Sequence, residues 1–521
     1  MITLDGRSLT IAEIAAVSRG GEKVQLSESS QENILRSRKW IESIVKKGDP
    51  VYAINTGFGC FSNRQINREQ TRTLNRNLIL SHAVGSGARF PDEVVRAAMV
   101  IRANTLAKGH SGVRLKVIST MLEMLNADLT PVVPSQGSLG SSGDLAPLSH
   151  LALVFTTDQD DLDEHSGAAY FHGELMSGKQ AMQAAGIPRI ILEAKEGIAI
   201  NNGATFSAAI AALCCHDAEN LLFTAQLGLG LSLEALQGVS TAFDDRIHQA
   251  RHHPGQIQIA ANLRKLIQGS DLIDQSGRVQ DAYTLRCGPQ VLGPIQETLA
   301  FVTKIIEREI NAATDNPLLF EDGQALSGGN FHGEPVGLAM DYLAIALTEL
   351  SGISERRIFR LIDNNLNGDL PPMLVFGKDQ EGLNSGLMMP QYSAASLVLE
   401  NRSLAAPDSI HSLPTSANQE DHNANSTTAA RSTYQIIQNS TRVLAIELFT
   451  AARAVSIRLE SQPDQKLGKG TGAAYQKIRD HVPFQGSDTL WNPEIDQIEK
   501  LIRNQALLTD TFFNPEEENH E

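Results

Sequence analysis

The run Gly137-Ser-Leu-Gly-Ser-Ser-Gly-Asp-Leu-Ala-Pro-Leu-Ser-His150 crowds glycine and serine immediately before an apolar helical pattern, with Asp144 placed as an N-cap and Pro147 in the first turn. Its chemistry admits three readings. One is a flexible turn; a second is a phosphate cradle, because helix N-termini bind anions. A phosphate loop, however, calls for a Lys after the last glycine and an apolar strand before it, whereas Asp144 follows Gly143 and would repel phosphate. In the third reading a tight turn brings the nitrogen of Gly143 against the carbonyl carbon of Ser141, an approach that glycine permits. Loss of water from the ring, and of the Ser142 hydroxyl as a second water, would then leave an exocyclic methylene conjugated to the ring. That product is an electrophile built from backbone.

The company this run keeps favours the third reading. GSLGSSGDLAPLSH resembles the cofactor-forming signature of the aromatic amino acid ammonia-lyases and aminomutases, in particular their histidine branch, and Tyr52-Ala-Ile-Asn-Thr-Gly-Phe-Gly59 resembles that family's mobile tyrosine loop. Further similar segments are Ser81-His-Ala83, Asn201-Asn-Gly203, Gln280-Asp-Ala-Tyr-Thr-Leu-Arg-Cys287, Asn316-Pro317, Gly329-Asn-Phe-His332 and Thr415-Ser-Ala-Asn-Gln-Glu-Asp-His422, in the family's order over nearly the whole chain. Two departures stand out. Ser141 replaces the family's usual Ala, contributing its backbone to the ring, and Asn423-Ala-Asn-Ser426 replaces an apolar-Ser-Met stretch.

The resemblance implies a 4-methylidene-imidazol-5-one group formed autocatalytically from Ser141, Ser142 and Gly143, with the Ser142-derived methylene taking up substrate electrons. It implies Asn202 near the ring oxygen, where the positive end of the helix starting near Asp144 would also favour negative charge. Tyr52 is the expected general base. A phenol of pKa near 10 needs a lowered pKa or a positive neighbour for that task. Tyr283 is a second expected catalytic residue, and Arg286, three positions on, offers a fork for a substrate carboxylate. His82 and Glu420, with Gln280 and Phe331, are expected to face the aromatic ring. Glu420 can accept from an imidazole N–H and His82 can bond the other nitrogen. Without the resemblance each has a plainer reading: Tyr52 as packing, Arg286 as a structural ion pair, Asn202 as a helix-end amide, His82 as a satisfied core histidine and Gln280 as a brace for loop backbone.

The elements that must hold these residues change along the chain. Beyond the first 200 residues, Val291, Ile295, Leu299, Val302, Ile306 and Ile310 recur at three- and four-residue steps, as do Leu343, Leu347 and Leu350, and Ile437, Leu444 and Leu448. The spacing predicts long helices with one apolar face each. Earlier segments are shorter and punctuated by NTGFG, GSGARFP and the acidic run Asp158 to His165, read as a solvated loop. The expected fold is mostly α: a loop-rich N-terminal domain, residues 1–205, carrying the cofactor loop and tyrosine loop, then a long up-down helical bundle, residues 206–521, of the ammonia-lyase and fumarase kind.

Composition narrows the partners. The 521 residues carry 44 Lys and Arg against 60 Asp and Glu, a net charge of −16, which opposes attraction to nucleic acid or anionic membranes. The opening residues include Asp5 and Glu13 where a secretory signal would be basic and then apolar, and the apolar stretches at Phe206 to Cys215 and Leu227 to Leu236 fall short of a bilayer span. Four cysteines, Cys60, Cys214, Cys215 and Cys287, read as free thiols in a cytoplasmic protein. His252, His253 and His422 lack metal-ligand spacing. Gly468-Lys-Gly-Thr-Gly472 lacks the preceding strand and downstream acid of a nucleotide loop, so neither metal nor nucleotide is expected. The expected activity is non-oxidative conversion of L-histidine to trans-urocanate and ammonia. By resemblance the assembly is a homotetramer whose active sites draw on different subunits. The rivals are a tyrosine or phenylalanine ammonia-lyase, a 2,3-aminomutase, and an inactive helical scaffold in which Ser141-Ser142-Gly143 stays an uncyclised turn.

Overall fold

The apolar three- and four-residue steps of the second half become helices with the expected faces inward. In the computed structural model, which describes residues 1–508, Leu292, Ile295, Leu299, Val302 and Ile306 are buried along the helix Gly288–Glu309. Leu343, Leu347 and Leu350 are buried on Glu334–Ile362, and Ile437, Leu444 and Leu448 on the 36-residue helix Ser426–Ser461. Glu334–Ile362 is long and apolar enough to cross a membrane, but 67% of its most apolar window is buried in the protein, as in a core helix. Among the described residues there are 18 α-helices and only short strands.

Contacts divide the chain into two units, each gathered from several stretches. The first comprises Met1–His216, Val302–Asp341 and Pro407–Tyr434; the second comprises Asp217–Phe301, Tyr342–Ala406 and the chain from Gln435. This differs from the sequential 1–205 and 206–521 division expected from the change in composition. The dividing points fall inside the helices Thr205–Leu236, Gly288–Glu309, Glu334–Ile362 and Ser426–Ser461, and a 30-residue helix is ~45 Å long, enough for its ends to find different neighbours.

The first unit is built around the helix Asp92–Ala107, buried continuously from Val94 to Ala107. Around it lie Ile11–Ser18, opened by a Thr10–Glu13 capping box, then Glu28–Lys47, closed by Gly48 in the left-handed region at φ 82°. Leu115–Asn126 completes the surround, while Thr71–His82 and Leu145–Phe155 pack on each other and on Glu196–Asn201. Strand Leu129–Pro131 pairs antiparallel with Ala168–Phe171, which pairs with Glu174–Ser177. The acidic run is more than a solvated loop: Asp158 accepts from Arg76 at 3.1 Å, and Asp161 pairs with Arg189 and Lys179.

The second unit packs long helices around buried charge. Glu447 is fully buried and takes hydrogen bonds from Arg357 and Ser354, with Arg357 Nη2 at 2.9 Å. A side chain at Gly228 would come within 2.8 Å of that carboxylate, so glycine is what lets it sit there. Glu234, which interrupts an apolar stretch in the sequence, is also fully buried; it accepts from Gly468 N at 2.8 Å and Thr471 Oγ1 at 2.6 Å. The Gly468 to Gly472 loop is thus a helix start seated on a carboxylate. Cys214, Cys215 and Cys287 are in no disulfide, and the side chain of Cys60 lies outside the described residues.

Candidate active site

A cavity of about 1290 Å³ in the first unit collects residues from five separate segments. Ser141 and Ser142 line it. Gly143 has φ +76°, and a side chain there would meet Gly203 carbon at 2.1 Å, so the two backbones touch where only glycine fits. The Ser142 carbonyl oxygen accepts from Asn202 Nδ2 at 2.6 Å and from Gly203 N at 3.3 Å, and Asp144 N donates to Gly203 O at 2.9 Å. Two N–H donors on one carbonyl oxygen form the arrangement that stabilises negative charge developing there.

What lies beneath fixes those donors. Fully buried Arg102 donates to the carbonyls of Ala199 at 3.1 Å and Asn202 at 2.7 Å and to Thr205 Oγ1 at 2.6 Å. Burial lowers its pKa to about 10, opposed by Asp315, Asp144 and Glu309. Fully buried Lys195 pairs with Asp315, which also accepts from Ser111 Oγ at 2.7 Å. Asp144 stands at the N-cap position as expected, but its carboxylate makes no cap bond. It is taken by Ser138 Oγ at 2.7 Å, Ser207 N at 2.8 Å, Ser207 Oγ at 3.1 Å and Thr427 Oγ1. That carboxylate ties the run to two distant helix starts instead of capping its own helix.

The walls carry the titratable groups. Tyr52 packs on Ala53, Leu78 and Ile198, and its hydroxyl accepts from Gly59 N at 3.4 Å. Its loop is pinned by Asn55, which accepts from Val51 N at 2.7 Å and donates to Asp49 O at 2.9 Å. Burial pushes the Tyr52 phenol above its ordinary 10, the Gly59 N–H opposing and the Glu420 charge adding to the rise. The lowered pKa expected of a base is therefore not supplied by its neighbours here. His82 ends the helix Thr71–His82, with Nδ1 3.0 Å from Ser81 Oγ. Burial holds its imidazole below the ordinary 6.5, against the Leu78 carbonyl and Glu420, which favour the charged form.

Glu420 is presented by a tight turn. Thr415 and Glu420 pair across it, and Ser416, Ala417 and Asn418 all have positive φ, at 51°, 52° and 64°, conformations costly for residues with side chains. The Glu420 carboxylate accepts from Ser141 Oγ at 2.7 Å and from Ser142 Oγ at 2.9 Å. Phe331 lies on a segment ordered by Asn316, whose side chain donates to Ser327 Oγ at 3.0 Å and accepts from Gly328 N at 2.8 Å. That segment joins its neighbours through Gly333 N to Gly140 O at 3.0 Å and His332 Nε2 to His422 O at 3.1 Å.

Of the residues expected from sequence, Tyr52, His82, Ser141, Ser142, Asn202, Phe331 and Glu420 line this cavity, and Gly143 lies directly behind it. Gln280, Tyr283 and Arg286 do not; they belong to the second unit, where Tyr283 is exposed and the Arg286 guanidinium lies 4.7 Å over its ring. The sequence reading passed over Arg64 and Asn77, which line the cavity without belonging to any recognised motif. It also passed over the Gly203 N–H, a donor that no side chain advertises. Among the described residues no group of three or more His, Cys, Asp or Glu side chains could hold a metal ion.

Comparison with known proteins shows the family. The family model of aromatic amino acid lyases matches residues 9–480. A histidine ammonia-lyase of Caldanaerobacter subterraneus is 49% identical over 484 residues, 92% of each chain. The crystal structure of histidine ammonia-lyase from Trypanosoma cruzi superposes with a TM-score of 0.88 at 36% identity, covering 97% of this chain and 94% of its own. The tyrosine aminomutase of Streptomyces globisporus does so with a TM-score of 0.90 at 33% identity, covering 97% of each. The chain belongs to the aromatic amino acid lyase family, a family of carbon–nitrogen lyases.

Proposed function

We propose that this protein removes ammonia from L-histidine without oxidation, giving trans-urocanate, and that Ser141, Ser142 and Gly143 cyclise into a 4-methylidene-imidazol-5-one. The reading is carried by one observation: Ser142, whose carbonyl oxygen takes two N–H donors, and Glu420 line the same cavity. The residues fit the group. Gly143 leaves room for backbone and for nothing else, and the buried Asn202 Oδ1 has no partner while its Nδ2 is committed to the Ser142 oxygen. Once formed, the group supplies an electrophilic methylene that draws electrons from the substrate.

This chain's side chains do the remainder. Asn202 and the Gly203 N–H hold negative charge at the Ser142 oxygen. Glu420 accepts an imidazole N–H and His82 bonds the other ring nitrogen, while Phe331 covers the ring. Tyr52 takes the β-proton. Because burial keeps its phenol neutral, it must first lose its own proton, so turnover should rise with pH on the alkaline side. We further assign Gln280, Tyr283 and Arg286 to sites shared between subunits of a homotetramer, with Arg286 on the substrate carboxylate. Exposed Phe301, Tyr342, Ile345, Tyr392 and Leu399 in the second unit support such an assembly, since they leave apolar helix surface to be covered. The three cysteines in no disulfide support a reducing, cytoplasmic setting.

The test is turnover of purified protein with L-histidine, L-tyrosine and L-phenylalanine separately, following the conjugated acrylate by ultraviolet absorbance and ammonia in parallel. Absorbance and ammonia with histidine alone are expected. A signal with tyrosine or phenylalanine instead would overturn the substrate, a β-amino acid product would indicate an aminomutase, and silence with all three would return the chain to the scaffold reading.

A further inference from the structure

Glu420 reaches both serines of the cofactor-forming run, and only one of those contacts can outlast maturation. Its Oε2 accepts from Ser141 Oγ at 2.7 Å and its Oε1 from Ser142 Oγ at 2.9 Å. In the proposed cyclisation the Gly143 nitrogen bonds to the Ser141 carbonyl carbon. The Ser141 carbonyl oxygen leaves as water with the two amide protons of Gly143 and Ser142. The Ser142 Oγ leaves as a second water with the Ser142 α-proton, and a carbon–carbon double bond forms. Every side-chain atom of Ser141 survives, while the hydroxyl that occupied Glu420 Oε1 is gone.

We propose that Ser141 is a positioning residue that pins Glu420 through Oε2, so that maturation leaves Oε1 as the single free acceptor for an N–H of the substrate ring. This rests on the reading of Glu420 as the imidazole partner. The geometry suits it: Ser141 is largely buried, and a charge-assisted O–H···O⁻ bond of this length is among the strong ones. A glutamate's terminal torsion is broad and roughly two-fold when nothing holds it. The strained Thr415 to Glu420 turn fixes the backbone, and Ser141 fixes the end of the side chain. His82 and Tyr52 both sense the Glu420 charge, though burial is the larger influence on each. Arg64, Asp421 and His422 line the same cavity.

The test compares wild type, Ser141→Ala and Ser141→Thr as purified full-length enzymes, with Glu420→Gln as reference. Intact mass comes first: wild type and both Ser141 variants should each be two waters lighter than the encoded chain, because the ring uses only the backbone of residue 141. Ser141→Ala should then lose about tenfold in kcat/KM for L-histidine, chiefly through KM. Ser141→Thr, which keeps a hydroxyl, should restore KM. Mature Ser141→Ala with unchanged kcat/KM would overturn the assignment while leaving the proposed function standing. A wild-type chain of full encoded mass, or a Glu420→Gln variant as active on histidine as wild type, would overturn the underlying reading and this assignment with it.

Discussion

Two glycine-rich segments lead into helices in this protein, and one of them lines the cavity described above. Gly137 to Asp144 precedes the helix Leu145–Phe155, and Gly468 to Gly472 begins the helix Lys469–His481. Both meet a buried carboxylate, Asp144 in the first and Glu234 in the second. In the second segment the carboxylate takes the Gly468 N–H and the Thr471 hydroxyl, and no residue of the segment lines that cavity. In the first, Asp144 ties down Ser138, Ser207 and Thr427 from behind, leaving the Ser142 carbonyl to Asn202 and Gly203 and two serine hydroxyls facing outward. A glycine-rich helix start is therefore made chemical by what faces it; the composition is shared.

The strongest way to break this comparison is Ser142→Ala. The variant should be at most one water lighter than its encoded mass and should lose on the order of a thousandfold or more in kcat, with circular dichroism unchanged. Retained turnover would place the electrophile elsewhere and make the two segments equivalent. Next is Asn202→Ala, which removes the shorter of the two donors on the Ser142 oxygen. A loss of about 10²–10³ in kcat is expected, the range for a donor aimed at developing charge. If KM rises instead while kcat holds, Asn202 binds substrate rather than stabilising charge.

The carboxylate behind the active segment has an acidic neighbour that sharpens the contrast. Burial raises Glu309 from an ordinary 4.5 to about 7, with Asp144 adding to the rise and Arg102 opposing it. The folded protein therefore holds a proton on Glu309 that the unfolded chain gives up between pH 4.5 and 7. Stability is lost as pH climbs through that window, by up to about 3 kcal/mol. Glu309→Gln, which cannot ionise, should gain on wild type in thermal stability as pH rises from 5 to 8; a difference independent of pH would mean that Glu309 is already ionised at the lower end.

Much of the active segment was legible because the chemistry lies in side chains close together in sequence. Ser141-Ser142-Gly143 and Asp144 sit in one run, and Tyr52, His82, Asn202, Phe331 and Glu420 each stand in a recognisable motif. What escaped is backbone or long-range. The Gly203 N–H has no letter in the sequence. Arg102 and the Lys195–Asp315 pair hold the donors from positions far apart along the chain, and hydrophobic periodicity carries no information about such pairing. The Asp144 carboxylate was read as a local cap because its partners at Ser207 and Thr427 lie 63 and 283 positions away. Helix faces were legible for the opposite reason, since burial imposes a period that survives in the sequence.

The smallest expected effect belongs to the silent segment. Thr471→Val keeps the volume and removes one hydroxyl from fully buried Glu234, which retains the Gly468 N–H and the Ser270 hydroxyl. Burial already raises the Glu234 pKa, with those three donors opposing the rise, so losing one should cost about 2 kcal/mol in stability, the range for a hydrogen bond to a charged group. Because no residue of that segment lines the cavity, kcat and KM per mature molecule should match wild type. Urea denaturation with turnover measured on the same samples separates the two effects, and a loss of kcat at unchanged stability would show that this helix start, too, has a part in the reaction.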